Sequence, residues 1–352
     1  MKRIYWIVML VLACSGPKKP VIIEEVSLGV AYEENYPLKL SEWNLFSGDM
    51  KELKPTDQVF PYDINSPLFS DYAHKARFIK LPVGAAMKYQ SEEVFEFPVG
   101  TVLVKNFYYP ADFQKPDENK RIIETRLLIR TEEEWGWDAL VYQWNNEQTE
   151  AIRLVLGAEL PVEWTDEQGI LQRINYSIPS QPQCKSCHDF NGGFTPIGPS
   201  ARQLNRDNQL QDWHAANLLD SLPESLPILV DYRNESVILN DRARAWLEIN
   251  CAHCHRREGP AKNSGLYLLT SQTDPYRLGV NKPPIAAGKG SAGMKYSIVP
   301  GDPDNSILLH RISSLEPGEM MPELGRKMQH KEGIELIRNW IDELETIETV
   351  SQ

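Results

Sequence analysis

Between about residues 60 and 178 the apolar and polar positions change with a period of two. Residues 94–97, 101–105, 122–130 and 139–143 alternate or cluster β-branched and aromatic side chains, bounded by Pro, Gly and Asn, and so predict strands. Residues 140–144, the polar run 145–148 and residues 149–156 read as strand, turn and strand of a hairpin. Ahead of them, residues 21–60 form a lead-in with one short helix near 40–45. Beyond 178 the period changes. Pro179, Pro182 and Pro199 interrupt regular structure around residue 184, whereas Asn240 reads as the N-cap of a helix whose Ala243, Trp246 and Leu247 share one face. Ile334, Ile337, Ile341 and Leu344 stand at helical spacing and predict a second amphipathic helix over 334–345. The Gly/Pro-rich stretch 279–303 leaves little room for sheet. Its Gly288-Lys289-Gly290-Ser291 lacks the leading glycine and the strand of a phosphate loop.

The pattern therefore gives an α+β chain: an antiparallel, β-sandwich-like domain over 38–178, followed by a mainly helical region. Trp135, Trp137, Tyr142 and Trp144 read as cross-strand core aromatics rather than a ligand platform, because paired aromatics stabilise sheets.

Composition narrows the class. The chain has 352 residues, 41% hydrophobic and 24% charged, too apolar for disorder and too polar for a multi-span membrane protein. Asp and Glu outnumber Lys and Arg by 49 to 37, for a net charge of −12, which argues against a nucleic-acid surface.

Lys2-Arg3 precedes the apolar run 4–13. That run is about half the roughly 20 residues of a spanning helix, and it reads as the core of a signal peptide over 1–13. The stretch Val11-Leu12-Ala13-Cys14 resembles a bacterial lipobox, in which Cys14 is acylated and becomes the new N-terminus; residues 14–37 then form a polar tether. An ordinary cleaved leader with a stray thiol is the alternative, and both export the chain. Ser15 behind the cysteine implies, by the same resemblance, a periplasm-facing outer-membrane lipoprotein.

The other four cysteines fall in Cys184-Lys185-Ser186-Cys187-His188 and Cys251-Ala252-His253-Cys254-His255. Two residues between thiols let both sulfurs reach the vinyl groups of one haem, and the same helical turn carries the following His beneath the iron. Two such motifs in an exported chain point to two covalent haems c, with Cys184, Cys187, Cys251 and Cys254 as attachment points and His188 and His255 as iron ligands. Zinc ribbons separate their pairs by roughly 15–20 residues, whereas 63 separate Cys187 from Cys251. A thioredoxin-like pair needs a βαβ context absent here, and disulfides across two residues close loops too small to stabilise much.

A carrier haem takes a sixth ligand, commonly a Met thioether. Met320-Met321-Pro322 lies downstream of His255 in loop sequence, ahead of the last helix, an order that resembles the cytochrome c fold and points to Met321 as distal ligand of the second haem, with Met320 as fallback. For the first haem His214, Met294, His74 or an open position stay in contention.

The likeness is wider than these motifs. Pro61-Tyr62-Asp63-Ile64-Asn65-Ser66-Pro67-Leu68-Phe69-Ser70-Asp71-Tyr72, Phe97-Pro98-Val99-Gly100-Thr101-Val102, Ile123-Glu124-Thr125-Arg126-Leu127-Leu128, Pro196-Ile197-Gly198-Pro199, Ile298-Val299-Pro300-Gly301-Asp302-Pro303 and Met321-Pro322-Glu323-Leu324-Gly325-Arg326 stand in order along the chain. Together they resemble the diheme c-type cytochrome family of conserved hypothetical proteins in Proteobacteria and Bacteroidetes, over about residues 38–345. The C-terminal part is also similar to cytochrome c-like modules of planctomycetes. The resemblance implies two covalent haems and export, and carries no reaction with it. Some family members are encoded beside parallel β-helix proteins, which makes such a protein a conceivable partner. The resulting segments are 38–178 as the β-rich domain, 179–235 as the first haem-binding segment and 236–352 as a cytochrome c-like domain. The expected function is electron transfer to redox partner proteins from a lipid anchor in the membrane, without nucleic acid; the alternative is a peroxidase- or oxidase-like enzyme with an open first haem.

Overall fold

The computed structural model describes residues 36–132, 136–285 and 287–344. The leader, Cys14, nearly all of the tether and Trp135 lie outside them. The lead-in contributes a 3-10 turn at Leu40–Trp43, where the short helix was expected.

Six strands follow as an antiparallel meander in chain order: β1 (Val59–Tyr62), β2 (His74–Lys80), β3 (Val102–Pro110), β4 (Lys120–Arg130), β5 (Trp137–Trp144) and β6 (Ala151–Leu154). The hairpin of β5 and β6 pairs Trp144 with Ala151, around the expected turn. Side chains alternate between faces along each strand. One face is covered by the lead-in, where Phe46 meets Phe78 edge to face with ring centroids 5.1 Å apart and Trp43 Nε1 donates to the Tyr142 hydroxyl at 2.7 Å. A second hairpin, β7 (Ala158–Thr165) and β8 (Leu171–Ile178), buries Val162, Trp164, Tyr176 and Ile178 against Phe107, Tyr109 and Val141 of the sheet. Trp137, Tyr142 and Trp144 are buried, as core aromatics should be.

Residues 94–97 differ from the expectation. They form no strand, only isolated bridges from Glu96 to Lys88 and from Val94 to Ser200. Their alternation arises because a loop buries Phe95 and Phe97 in a cluster with Leu204, Leu210 and Trp213.

The prolines near 184 flank a helix instead of breaking one. α1 (Gln181–His188) starts with Pro182 in its first turn, where a missing N–H costs nothing. Ser180 caps it, with Gln183 Oε1 accepting the Ser180 N–H at 2.8 Å. Short helices α2 (Ala201–Leu204) and α3 (Gln209–Ala215) lead to α4 (Leu239–Leu247), whose N-cap position is Ile238. Asn240 lies inside α4, because its Oδ1 accepts from Trp340 Nε1 at 3.1 Å and so ties two helices together. α4 runs directly into a wider π turn at Glu248–Ala252. α5 (Pro275–Leu278), α6 (Ile307–Ser313) and α7 (Lys331–Glu343) complete the chain. The expected stripe of α7 faces inward, with Ile337, Trp340 and Ile341 packed on Trp246 and Leu247 of α4.

Among the described residues the chain from Pro37 to Leu344 is one compact unit.

Candidate functional site

The sheet face turned away from the lead-in forms the floor of a cavity of about 200 Å³. Cys184, Cys187 and His188 of α1 contribute to its walls, together with His253, Met321 and His330.

α1 places the first motif on a single helical turn. Its C-terminal His188 has Nδ1 2.7 Å from the Thr195 carbonyl and stacks on Phe194 at 4.8 Å between ring centroids. The carbonyl only accepts, so Nδ1 carries the proton and Nε2 keeps a free lone pair. Burial pushes His188 down to about 3 and keeps the imidazole neutral, as a metal ligand must be. His255 of the second motif is held the same way. Its Nδ1 lies 3.2 Å from Ser264 Oγ, whose own proton goes to the Ala261 carbonyl at 2.7 Å; Nδ1 therefore donates. Burial likewise pulls His255 down to about 4.

The two motifs meet. The sulfurs of Cys187 and Cys254 and a ring nitrogen of His253 lie within 4.8 Å of one another. Cys254 Sγ also lies 3.8 Å from the Ser186 carbonyl, and Asn191 N donates to the Glu258 carbonyl at 2.8 Å. A shared proton pulls the Cys187 thiol down and pushes that of Cys254 up. Burial raises Cys184, and raises Cys251 to about 12.

Met321 is carried by a loop with two anchors. Arg326 donates to the carbonyls of Met321 at 3.0 Å and Ser314 at 2.7 Å. Asp71, buried between β1 and β2, accepts the N–H groups of Lys327 and Met328, each at 2.8 Å at its closest. Met321 lines the same cavity as the first motif, whereas Cys251, Cys254 and His255 of the second do not line it. Met320 is buried outside the cavity wall.

None of the three other sixth-ligand candidates lines the cavity. His214 is exposed on α3 with Nδ1 against the Leu219 carbonyl at 3.1 Å. His74 packs on Phe113 and lines no part of the cavity, and Met294 sits in the turn that follows Ser291. The cavity holds instead two histidines that sequence reasoning passed over. His330 stacks on Phe69 at 4.4 Å and accepts the Trp246 indole N–H at 2.9 Å, an acceptor role that leaves its proton on Nε2. His253 Nδ1 is buried with no hydrogen-bond partner among the described residues; its place inside the second motif was the available signal.

The residues fit haem c by donor chemistry. Each motif offers two thiols and a neutral His with Nε2 free, and Met321 adds a thioether. The space is smaller than the roughly 300–1,000 Å³ of small-molecule sites, so the donor set fits the group and the volume as it stands does not. The trio of Cys187, His253 and Cys254 has the composition of a zinc site, but that use gives Cys184, Cys251, His188 and His255 no task. Comparisons with protein-family models, with curated proteins and with solved structures found no match to this chain.

Proposed function

We propose that this protein is an exported, lipid-anchored diheme c-type cytochrome that passes electrons through two covalently bound haems. The observation that carries the reading is the matched anchoring of His188 and His255, each with Nδ1 donating to an oxygen so that Nε2 is free for iron. Bound haem supplies a one-electron iron couple. The chain's own residues do the rest. Cys184 and Cys187, and Cys251 and Cys254, tether the groups; His188 and His255 are held neutral and oriented; Met321, clamped by Arg326, tunes the potential. The approach of Cys187 to Cys254 would bring the two attachment sites close together, which favours transfer between the groups they would hold.

In this reading residues 38–178 are a sandwich-like β domain, 179–235 the first haem segment and 236–352 the cytochrome c-like domain. Cys14 is the lipid attachment, and the protein faces the periplasm from the outer membrane. The net charge of −12 suits a basic or neutral redox partner in a salt-sensitive encounter; a parallel β-helix protein is one candidate.

A second reading has a specific support. His214, Met294 and His74 all lie off the cavity, so an open first haem that reduces peroxide or oxidises a small substrate is the alternative, provided that Met321, His253 and His330, which do line it, leave the iron free.

Mass spectrometry of the protein from a host with cytochrome c maturation tests the proposal. It should give two haem adducts, one on the peptide with Cys184 and Cys187 and one on that with Cys251 and Cys254. Fewer than two overturns it. Two low-spin haems indifferent to cyanide and carbon monoxide would then dismiss the enzyme.

A further inference from the structure

The cavity floor carries an unusual row of charge. Arg77 of β2 is the cross-strand partner of Lys105 of β3, and Lys105 is the partner of Arg126 of β4. All three side chains line the cavity that Cys184, Cys187 and His188 enter. Like charges directly opposite one another weaken a sheet, and burying them deepens the cost. Such a row persists when something negative answers it.

The protein answers only part of it. Arg126 is bound by Glu124 through two hydrogen bonds, at 2.5 and 2.9 Å. Arg77 reaches Asp63 at 3.1 Å, a carboxylate on the exposed rim. Lys105 has no ion pair among the described residues; its ammonium lies 5.0 Å from the Phe107 ring centroid. Lys75, two residues before Arg77, adds a fourth cation and spends a hydrogen bond on the Leu68 carbonyl at 3.0 Å. The middle of the row therefore lacks an anion.

We propose that Arg77, Lys105 and Arg126 form the seat of the propionate carboxylates of the haem attached at Cys184 and Cys187. This rests on the diheme reading. The chemistry is direct: a haem tethered by its vinyl edge to α1 carries two carboxylates on another edge, and from the cluster of Phe107 and Val141 on which Cys184 packs, the row of cations runs across the same sheet face through β4, β3 and β2. Burial and the neighbouring Arg77, Lys75 and Arg126 disfavour the Lys105 ammonium, so a carboxylate set beside it restores that charge, and Arg77 and Arg126 supply N–H donors to either side.

The test uses purified holoprotein with Lys105→Met and Lys105→Arg, and Arg77→Gln as the second variant should Lys105→Met fail to accumulate. Haem attachment depends on the cysteines, so haem content by mass should equal wild type. Loss of the cation should lower the midpoint potential of one haem and leave the other in place, with Lys105→Arg restoring it. The infrared band of propionates labelled with carbon-13 should shift in the same variants. Full haem content with both potentials and the propionate band unmoved overturns the assignment. So does succinate, as a free dicarboxylate probe, perturbing the wild-type spectrum in a Lys105-dependent way while the propionate band stays put; the seat then belongs to a substrate. A wild-type chain without haem on Cys184 and Cys187 refutes the diheme reading itself, and the mass measurement tells the two failures apart.

Discussion

The sulfurs of Cys187 and Cys254 lie within 4.8 Å of each other, although 66 residues separate them along the chain. In protein made without haem attachment these two thiols should oxidise to one another. The double variant Cys184→Ser/Cys251→Ser, treated with diamide, should lose two hydrogens by intact mass and become resistant to alkylation. Two thiols that stay alkylatable would mean the motifs do not meet in solution.

Asp71 should be worth more than its surface-loop sequence suggests. It is 3% exposed, and its carboxylate accepts the backbone N–H groups of Lys327 and Met328. Its φ of 51° is a conformation that Asn tolerates, so Asp71→Asn removes charge and acceptor capacity without new backbone strain. We expect a loss of about 2–3 kcal/mol, from hydrogen bonds to a charged group, read as a lower urea midpoint at unchanged slope.

Gly333 sits in α7, where a propensity argument favours Ala by about 1 kcal/mol. A Cβ there would collide with the Trp246 indole nitrogen and with His330 Nδ1, two atoms already joined by a hydrogen bond. Overpacking costs about 1–3 kcal/mol, and the broken bond adds to it. Gly333→Ala should therefore lower the melting temperature, the reverse of the usual helix-interior result.

Burial lowers His330 to about 4. The unfolded chain, with His near 6.5, binds the proton first as pH falls, so this residue's contribution is whole above about 6.5 and declines toward 4. At about 1.4 kcal/mol per pH unit the full loss is about 3 kcal/mol. His330→Gln keeps an acceptor for Trp246 without the titration, and its stability should fall less steeply between pH 6.5 and 4. An unchanged acid limb would place the sensitivity elsewhere.

In the holoprotein Met321→Ala should abolish the weak near-infrared sulfur-to-iron band expected of a His/Met haem, whereas Met320→Ala should leave it. Survival of the band in Met321→Ala moves the thioether to Met320 or Met294.

The strands at β3, β4 and β5 and the final helix were legible because a half-buried strand and an amphipathic helix write their periods directly into the order of residues. Residues 94–97 carried the same alternation without a partner strand, since burying Phe95 and Phe97 needs only a loop held against α2 and α3. Asn240 had the composition of a cap and serves instead as an acceptor for Trp340, a residue 100 positions away. Pro182 has the character of a breaker and is a first-turn residue, a distinction of one or two positions that depends on where Ser180 starts the helix.

By itself the sequence determined what is local: an α+β chain and two motifs in which two thiols and an imidazole share one helical turn. Covalent haem attachment is the proposal that this spacing supports. Only the tertiary structure decided which distant groups meet: Cys187 with Cys254, Asp71 with Lys327, and Arg77, Lys105 and Arg126 in one row beneath the first motif. Those juxtapositions are set by strand register and by which faces bury against each other. No period along the chain encodes them, because their energy comes from desolvating groups that become neighbours only when the chain has folded.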